Sequence, residues 1–332
     1  MSEKRKNDHI ELAFKSQVSE KENHGLYYEP LLGSHQKVDL TCHAFGHELK
    51  APLWVSSMTG GAERAKDINK RLALACQKFG LAMGLGSCRP LLESDERLAD
   101  FQIRKYIGEQ PLYANLGIAQ LEELIEAKKM HAVSELLKKL DASGLIIHVN
   151  PLQEALQFEG DQFKFAPIQT IERTIDALDQ TNIIVKEVGQ GMGPNSLKLL
   201  LDLPIKGIEL SAFGGTNFSF LEHSRHIKKE SATLEPLLDF AYIGHTAQEM
   251  LSWINTFAEQ NSLYKEKSLI ISGGIQSIIQ GHSLLEQSNL NAVIGFASKY
   301  LKPAMDSQEV LDEFIETQIN SLSLCKNFLR RS

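Results

Sequence analysis

Eight short apolar runs punctuate the chain, and each ends in a polar or glycine-containing stretch. They are LWVSSM (53–58), LAMGLG (81–86), LYANLG (112–117), LIIHVN (145–150), IIVKEV (183–188), GIELSA (207–212), LIISGG (269–274) and AVIGFA (292–297). Runs this short, bounded by Gly, Pro and Asn, favour strands over helices. Longer segments with helical spacing lie between them. The segment 62–79 stops at Gly80, a helix-ending residue. Ser94 is an expected N-cap for 95–108, with Arg97 where a full capping box has Glu or Gln. Thr246 and Glu249 have full capping-box spacing at the head of 246–260, and 306–329 reads as a long amphipathic helix.

Eight strands alternating with helices predict a (β/α)8 TIM barrel, with a doubly wound open sheet as the competitor. The count favours the barrel. So do the polar residues that follow the strands from the first to the last, because an open sheet concentrates its chemistry at one switch point. Residues 1–50 are then an N-terminal extension expected to cover or line the barrel mouth, and 51–332 form the barrel. The stretch 213–243, the long loop after strand six, exceeds an ordinary connection and reads as a lid.

Composition narrows the class. The chain has 332 residues, 42% hydrophobic and 23% charged, enough for a sizeable core. A net charge of -7 gives no global case for nucleic-acid binding. Cys42, Cys76, Cys88 and Cys325 are scattered without metal-type spacing, which fits reduced thiols in a cytoplasm. The polar N-terminus does not read as a secretory signal, and no apolar run is long enough to span a membrane.

Candidate chemistry gathers at the strand ends. SGGI (272–275) and GFAS (295–298) follow the last two strands, where barrels often bind phosphate through backbone N–H groups. Tight turns alone would also place glycines there; two such loops on neighbouring strands favour phosphate. MTGGAE (58–63) and AFGGTN (212–217) add paired glycines with Thr59 and Thr216. With Ser87 and Asn115 they make a mouth of neutral hydrogen-bonding groups, suited to a large heteroaromatic cofactor. Lys186 lies inside an apolar run, where an unpaired charge is costly. It reads as an inward lysine beside an electron-rich group, with a Schiff-base lysine as the rival. RKNDH places Arg5, Lys6 and His9 together, and Arg89 adds a cation at a strand end. Several cations at one mouth suit a diphosphate, although an isolated charge run is usually a solvated tail.

The stretch 144–162 is the densest. His148 and Asn150 share one side of a strand. If a helix starts at Pro151, then Gln153 and Glu154 lie on its first turn. Glu154 could hold Mg²⁺, which takes one or two carboxylates plus phosphate oxygens. Gln153 could face the reacting carbon.

These motifs together resemble the type 2, FMN-dependent isopentenyl-diphosphate isomerases over nearly the whole chain. RKNDH, MTGG, GLGSCR, ANLG, HVNPLQE with EGD, VKEVGQGM, FGGT, SGGI and GFASKYLKPA carry the resemblance. It implies interconversion of isopentenyl and dimethylallyl diphosphate, with FMN, Mg²⁺ and a reductant such as NADPH. It also implies a homotetramer or larger. By matching positions it assigns Arg5, Lys6, His9 and Arg89 to the diphosphate. Met58, Thr59, Ser87, Asn115, Lys186 and Thr216 go to FMN, and Gly273, Gly274, Ala297 and Ser298 to its phosphate. His148, Asn150 and Gln153 fall on the substrate side and Glu154 on the metal. Gln276 departs from a common basic residue, Ala212 from a common glycine and Phe158 from a usual proline. An FMN-dependent 2-hydroxy-acid oxidase is the alternative, but SAFGGTNF (211–218) lacks the His and Arg that such an oxidase would need there. A flavin-binding sensor would not require RKNDH or Glu154.

Overall fold

A computed structural model describes residues 2–19, 24–57, 64–157, 159–228 and 238–331. Each of the eight apolar runs contains a strand: β1 (Leu53–Val55), β2 (Ala82–Gly84), β3 (Leu112–Gly117), β4 (Gly144–His148), β5 (Ile183–Lys186), β6 (Gly207–Glu209), β7 (Ser268–Ser272) and β8 (Asn291–Phe296). Neighbours pair in parallel. β8 returns to β1 through Ile294 with Leu53, Gly295 with Trp54 and Phe296 with Val55, which closes a TIM barrel. The runs are almost continuously apolar because helices cover the outer face and side chains fill the inside.

The two faces of each strand feed different cores. Leu53, Val55, Leu145, Ile147, Ile183 and Val185 belong to the larger cluster that includes the surrounding helices. Trp54, Ala82, Tyr113, Ile146, Ile184, Ile270 and Val293 form a separate cluster with Phe45. That second cluster is the barrel interior. Phe45 reaches it from a hairpin of Cys42–Ala44 and His47–Leu49. Its ring lies 5.2 Å from that of Trp54 and 6.3 Å from that of Tyr113. Its backbone N–H donates to Ser268 Oγ at 2.9 Å. Ser268 and Gly207 open their strands, so the hairpin plugs the N-terminal end. Gly207 has no Cβ because Phe45 fills that space.

This part of the extension therefore does not cover the mouth, as the sequence reading expected; its aromatic residue finds an apolar cavity at the other end. Leu26–Tyr28 instead pairs antiparallel with Leu329–Arg331. Helix Ser2–Leu12 carries Arg5, Lys6 and His9, all exposed.

Helix ends follow local chemistry. Ala65–Phe79 ends at Gly80 in the left-handed region, φ 67°. Ala247–Gln260 starts with the full Thr246–Glu249 capping box, and Gln308–Phe328 is capped by Ser307. The expected helix over 95–108 is instead two short ones, Leu98–Phe101 and Arg104–Ile107, and Ser94 ends a preceding turn rather than capping them. Asn69 draws the Asp100 carbonyl at 2.9 Å, a tertiary contact that spacing does not reveal. The long β6 loop includes helix Phe218–Lys228.

Candidate active site

Inside the barrel, a two-residue step along each strand changes the chemistry. Trp54, Ala82, Tyr113, Ile146, Ile184 and Ile270 line the floor. Two residues further on stand Ser56, Gly84, Asn115, His148, Lys186 and Ser272, with Glu209 two beyond Gly207. Residues two apart on a strand share a face, so the polar set stands directly above the apolar floor, at the C-terminal end. Lys186 pairs in register with Glu209 on one side and His148 on the other. Both charged residues are buried, at 6% and 1% exposure.

Above this layer is a cavity of about 380 Å³. Of the residues that the sequence reading assigned to the cofactor, Lys186, Thr216, Gly273, Gly274, Ala297 and Ser298 line it, whereas Ser87 and Asn115 do not; Ser56, Ser57, Glu209, Ser211, Ser272 and Lys299, which that reading passed over, line it too. Gly273 sits at φ +81°, and a Cβ there would strike the Ser211–Ala212 backbone. Only glycine lets the β6 and β7 loops close so tightly. Ser272 Oγ donates to Glu209 Oε1 at 3.1 Å. Glu209 Oε2, Ser56 Oγ and Ser57 Oγ, also buried, have no hydrogen-bond partner among the described residues. Buried polar atoms are normally satisfied, so three orphans lining one cavity mark where a ligand supplies hydrogen bonds. Ala212 packs into the outer core and does not line the cavity. Met58, Thr59 and Phe158 lie outside the described residues.

The β5 loop is held by a carboxylate. Glu187 accepts the backbone N–H groups of Gly189, Gln190 and Gly191 at 2.7, 2.6 and 3.0 Å. Burial nonetheless holds its pKa above the ordinary carboxylate range. Lys186 Nζ donates to the Glu187 carbonyl at 2.7 Å. Gln190 then bonds the carbonyls of Phe240 and Ile243 and accepts from Ser219, tying both ends of the β6 insertion to β5.

A polar ledge continues from β4. His148 Nδ1 and Asn115 Oδ1 are 2.7 Å apart. An amide oxygen accepts, so the imidazole donates from Nδ1 and keeps a lone pair on Nε2. Burial, and to a lesser degree Lys186, depress its pKa to about 3, which keeps the ring neutral. A helix begins at Pro151 as expected. Asn150 does not cap it with its side chain. Its amide donates instead to Gln153 Oε1 at 3.2 Å and Glu154 Oε1 at 2.7 Å. Glu154 Oε2 accepts the Asp161 N–H at 2.8 Å, and Asp161 accepts from Arg89 at 3.0 Å and Gln120 at 3.2 Å. The network thus joins Asn150, Gln153, Glu154 and Arg89. Ser87 flanks it and accepts from the Arg89 N–H at 3.4 Å. Arg5, Lys6 and His9 stand apart, exposed on their own helix.

Chain comparisons converge on one assignment. No family model matches the chain. Isopentenyl-diphosphate delta-isomerase of Rickettsia typhi is 33% identical over 326 residues, covering 96% of this chain and 91% of that one. The enzyme of the same name from Cronobacter sakazakii is 35% identical over 284 residues, 83% of this chain and 78% of that one. Among solved structures, a mutant flavocytochrome b2 with benzoylformate superposes with TM-score 0.63 at 14% identity, covering 93% of this chain and 77% of that chain. A mandelate oxidase mutant with a monooxide FMN adduct gives 0.57 at 12% identity, with 92% and 84% covered. At those identities the two structures speak to the barrel alone. The two curated relatives share about a third of the aligned residues over at least 78% of either chain, and on that ground the chain belongs to the isopentenyl-diphosphate delta-isomerase family.

Proposed function

We propose that the protein interconverts isopentenyl and dimethylallyl diphosphate with FMN in the 380 Å³ cavity and Mg²⁺ at Glu154. The observation that carries the flavin assignment is the set of three orphaned polar atoms, Ser56 Oγ, Ser57 Oγ and Glu209 Oε2, in a glycine-walled cavity at the C-terminal end of a barrel. A ring with several hydrogen-bonding edges fits that wall better than a small acid. Gly273, Gly274, Ala297 and Ser298 would hold its phosphate. Lys186, Thr216, Asn115 and Ser87, with Met58 and Thr59, would contact the rest. When bound in reduced form, FMN supplies a proton-transfer site, and NADPH is the natural reductant.

The chain's own groups do the remaining work. Moving a double bond by one carbon needs a proton delivered at one end and another removed beside it. The tertiary cation formed on the way must be kept from water. Ligands filling the mouth would exclude solvent from its buried wall, where Ser56, Lys186, Glu209 and Ser272 stand. Lys186 fixes a positive charge on its wall. His148, neutral and tied to Asn115, presents a lone pair without attracting a proton. Asn150 orients Gln153 toward the substrate and Glu154 toward the metal. Glu154 and Asp161 offer hard oxygen donors; substrate phosphate and water would complete an octahedral Mg²⁺ shell. Among the described residues no three acidic, His or Cys side chains form a metal cage. Arg89, with Arg5, Lys6 and His9, would pair the diphosphate, anchoring the alkene and lowering the entropic cost of the step.

Purified protein incubated with FMN, Mg²⁺, NADPH and isopentenyl diphosphate should form dimethylallyl diphosphate. Protein that retains no flavin and forms no product would sink the proposal. The oxidase alternative lacks support in the cavity, whose described lining holds neither His nor Arg. We place the enzyme in the cytoplasm as a homo-oligomer, a tetramer or larger. No helix among the described residues is long and apolar enough to cross a membrane. A groove of about 1570 Å³ along helices Ser298–Asp306 and Gln308–Phe328, lined by Met305, Val310, Phe314 and Leu324, supports association.

A further inference from the structure

At the cavity's rim, one ammonium has no carboxylate partner among the described residues. Lys299 lies in the first turn of helix Ser298–Asp306 and lines both the cavity and the neighbouring groove. Its Nζ donates to the Gln276 carbonyl at 2.7 Å and sits 5.0 Å from the Phe296 ring centre. These two contacts hold the head group between the β7 and β8 loops. An ammonium carries three donors, and the hydrogen bond uses one. Burial lowers its pKa from the ordinary lysine range, and no carboxylate among the described residues offsets it. A half-buried ammonium without an anion is costly, so the surroundings are built for an anion that arrives from outside.

The helix behind Lys299 points the same way. Its N-terminus has no side-chain cap; the Tyr300 and Leu301 N–H groups donate to the Ala297 carbonyl at 3.0 Å, which leaves those of Ser298 and Lys299 for an anion. The neighbouring helix Ile278–Gln287 differs: Ser277 caps it by accepting the Gln280 N–H. Gln276, between the two loops, brings no charge, and its own N–H is taken by Gln280 Oε1 at 2.7 Å. Position 276 therefore offers an anion no cation and no backbone donor, only a neutral side-chain amide. In the same cavity, the buried, unpartnered Ser56 Oγ marks space for a ligand.

We propose that Lys299, backed by the open N-terminus of helix Ser298–Asp306, supplies the positive charge that this chain presents to the phosphate monoester of its flavin. The inference rests on the flavin reading of the cavity. It assigns Lys299 a role in choosing FMN over an unphosphorylated flavin, and leaves Gln276 without one.

The test compares FMN with riboflavin, which lacks the phosphate, by flavin fluorescence titration of apo-protein in low salt. Lys299→Gln should weaken FMN binding by about 10- to 100-fold, the loss expected for a charge-assisted hydrogen bond. Riboflavin binding should stay within about twofold, because its ring contacts are untouched. Lys299→Arg should keep most of the preference for FMN, and Gln276→Ala should change neither affinity. Added salt should weaken FMN binding to the wild type more than to Lys299→Gln. Wild-type protein that binds neither flavin overturns the flavin reading and this inference with it. Wild-type protein that binds FMN while Lys299→Gln keeps the same FMN-to-riboflavin ratio overturns the inference alone. So does a Gln276→Ala loss as large as that of Lys299→Gln.

Discussion

The floor and the mouth of the barrel are built from the same strands, two residues apart. At the floor, Phe45, Trp54 and Tyr113 pack with Ile146, Ile184, Ile270 and Val293. At the mouth the same strands present Ser56, Asn115, His148, Lys186, Glu209 and Ser272. The floor is sealed by a hairpin and its apolar groups pack on one another, although Trp54 Nε1 and Tyr113 Oη have no hydrogen-bond partner among the described residues. The mouth is polar, and some of its atoms wait for partners that the chain does not supply. Stability therefore resides at one end and chemistry at the other, as barrels commonly arrange it. The division can be broken by mutation.

The largest effect belongs to the floor. Trp54→Ala should cost about 3–5 kcal/mol of folding stability by cavity formation, read by urea unfolding, while the protein that remains folded still isomerises substrate. A small stability change would show that the plug does not hold the barrel together. Next comes the mouth. Gln153→Asn should lower turnover on the order of 100-fold through misplacement of its amide, with FMN affinity unchanged and stability nearly so. Near-normal turnover removes Gln153 from the mechanism. Glu154→Gln should raise the Mg²⁺ concentration for half-maximal activity by about tenfold. Unaltered metal dependence means the ion is held elsewhere.

The smallest effect separates the ends by pH. His148 has a folded pKa of about 3 against an ordinary 6.5. Between those values the unfolded chain binds a proton that the folded chain refuses. Its contribution to stability is present above pH 6.5 and is lost as pH falls toward 3. The slope is at most about 1.4 kcal/mol per pH unit. Denaturation at pH 6 and pH 5 should show that decline, and His148→Gln should flatten it. An equal slope in the variant shows that other groups carry the acid sensitivity.

Particular residues show what could be read in advance. Lys186 stood out because a charge in an apolar run demands a reason. Glu209 sits in GIELSA under the same rule, yet a carboxylate near a strand end also reads as solvent-facing, and only barrel closure shows it pointing inward. Gly273, Gly274, Ala297 and Ser298 were legible as paired strand-end loops. Lys299 was not, because its meaning comes from the missing carboxylate around it. The Asn150–Glu154–Asp161–Arg89 network was half visible. HVNPLQE declares a strand followed by a proline-started helix, but nothing local says that Arg89 meets Asp161.

What the order of residues determined by itself was periodic or local. It set eight apolar runs with helices between them, the glycine stop at Gly80, the Thr246–Glu249 box and the polar step at each strand end. These depend on neighbours a few positions away, which a linear chain displays. The tertiary structure decided which strand face turned inward and which end was plugged. A period of two looks the same from either side until β8 meets β1 and Phe45 enters between Trp54 and Tyr113. It also decided which polar atoms remained without partners, because that depends on every element packed around them.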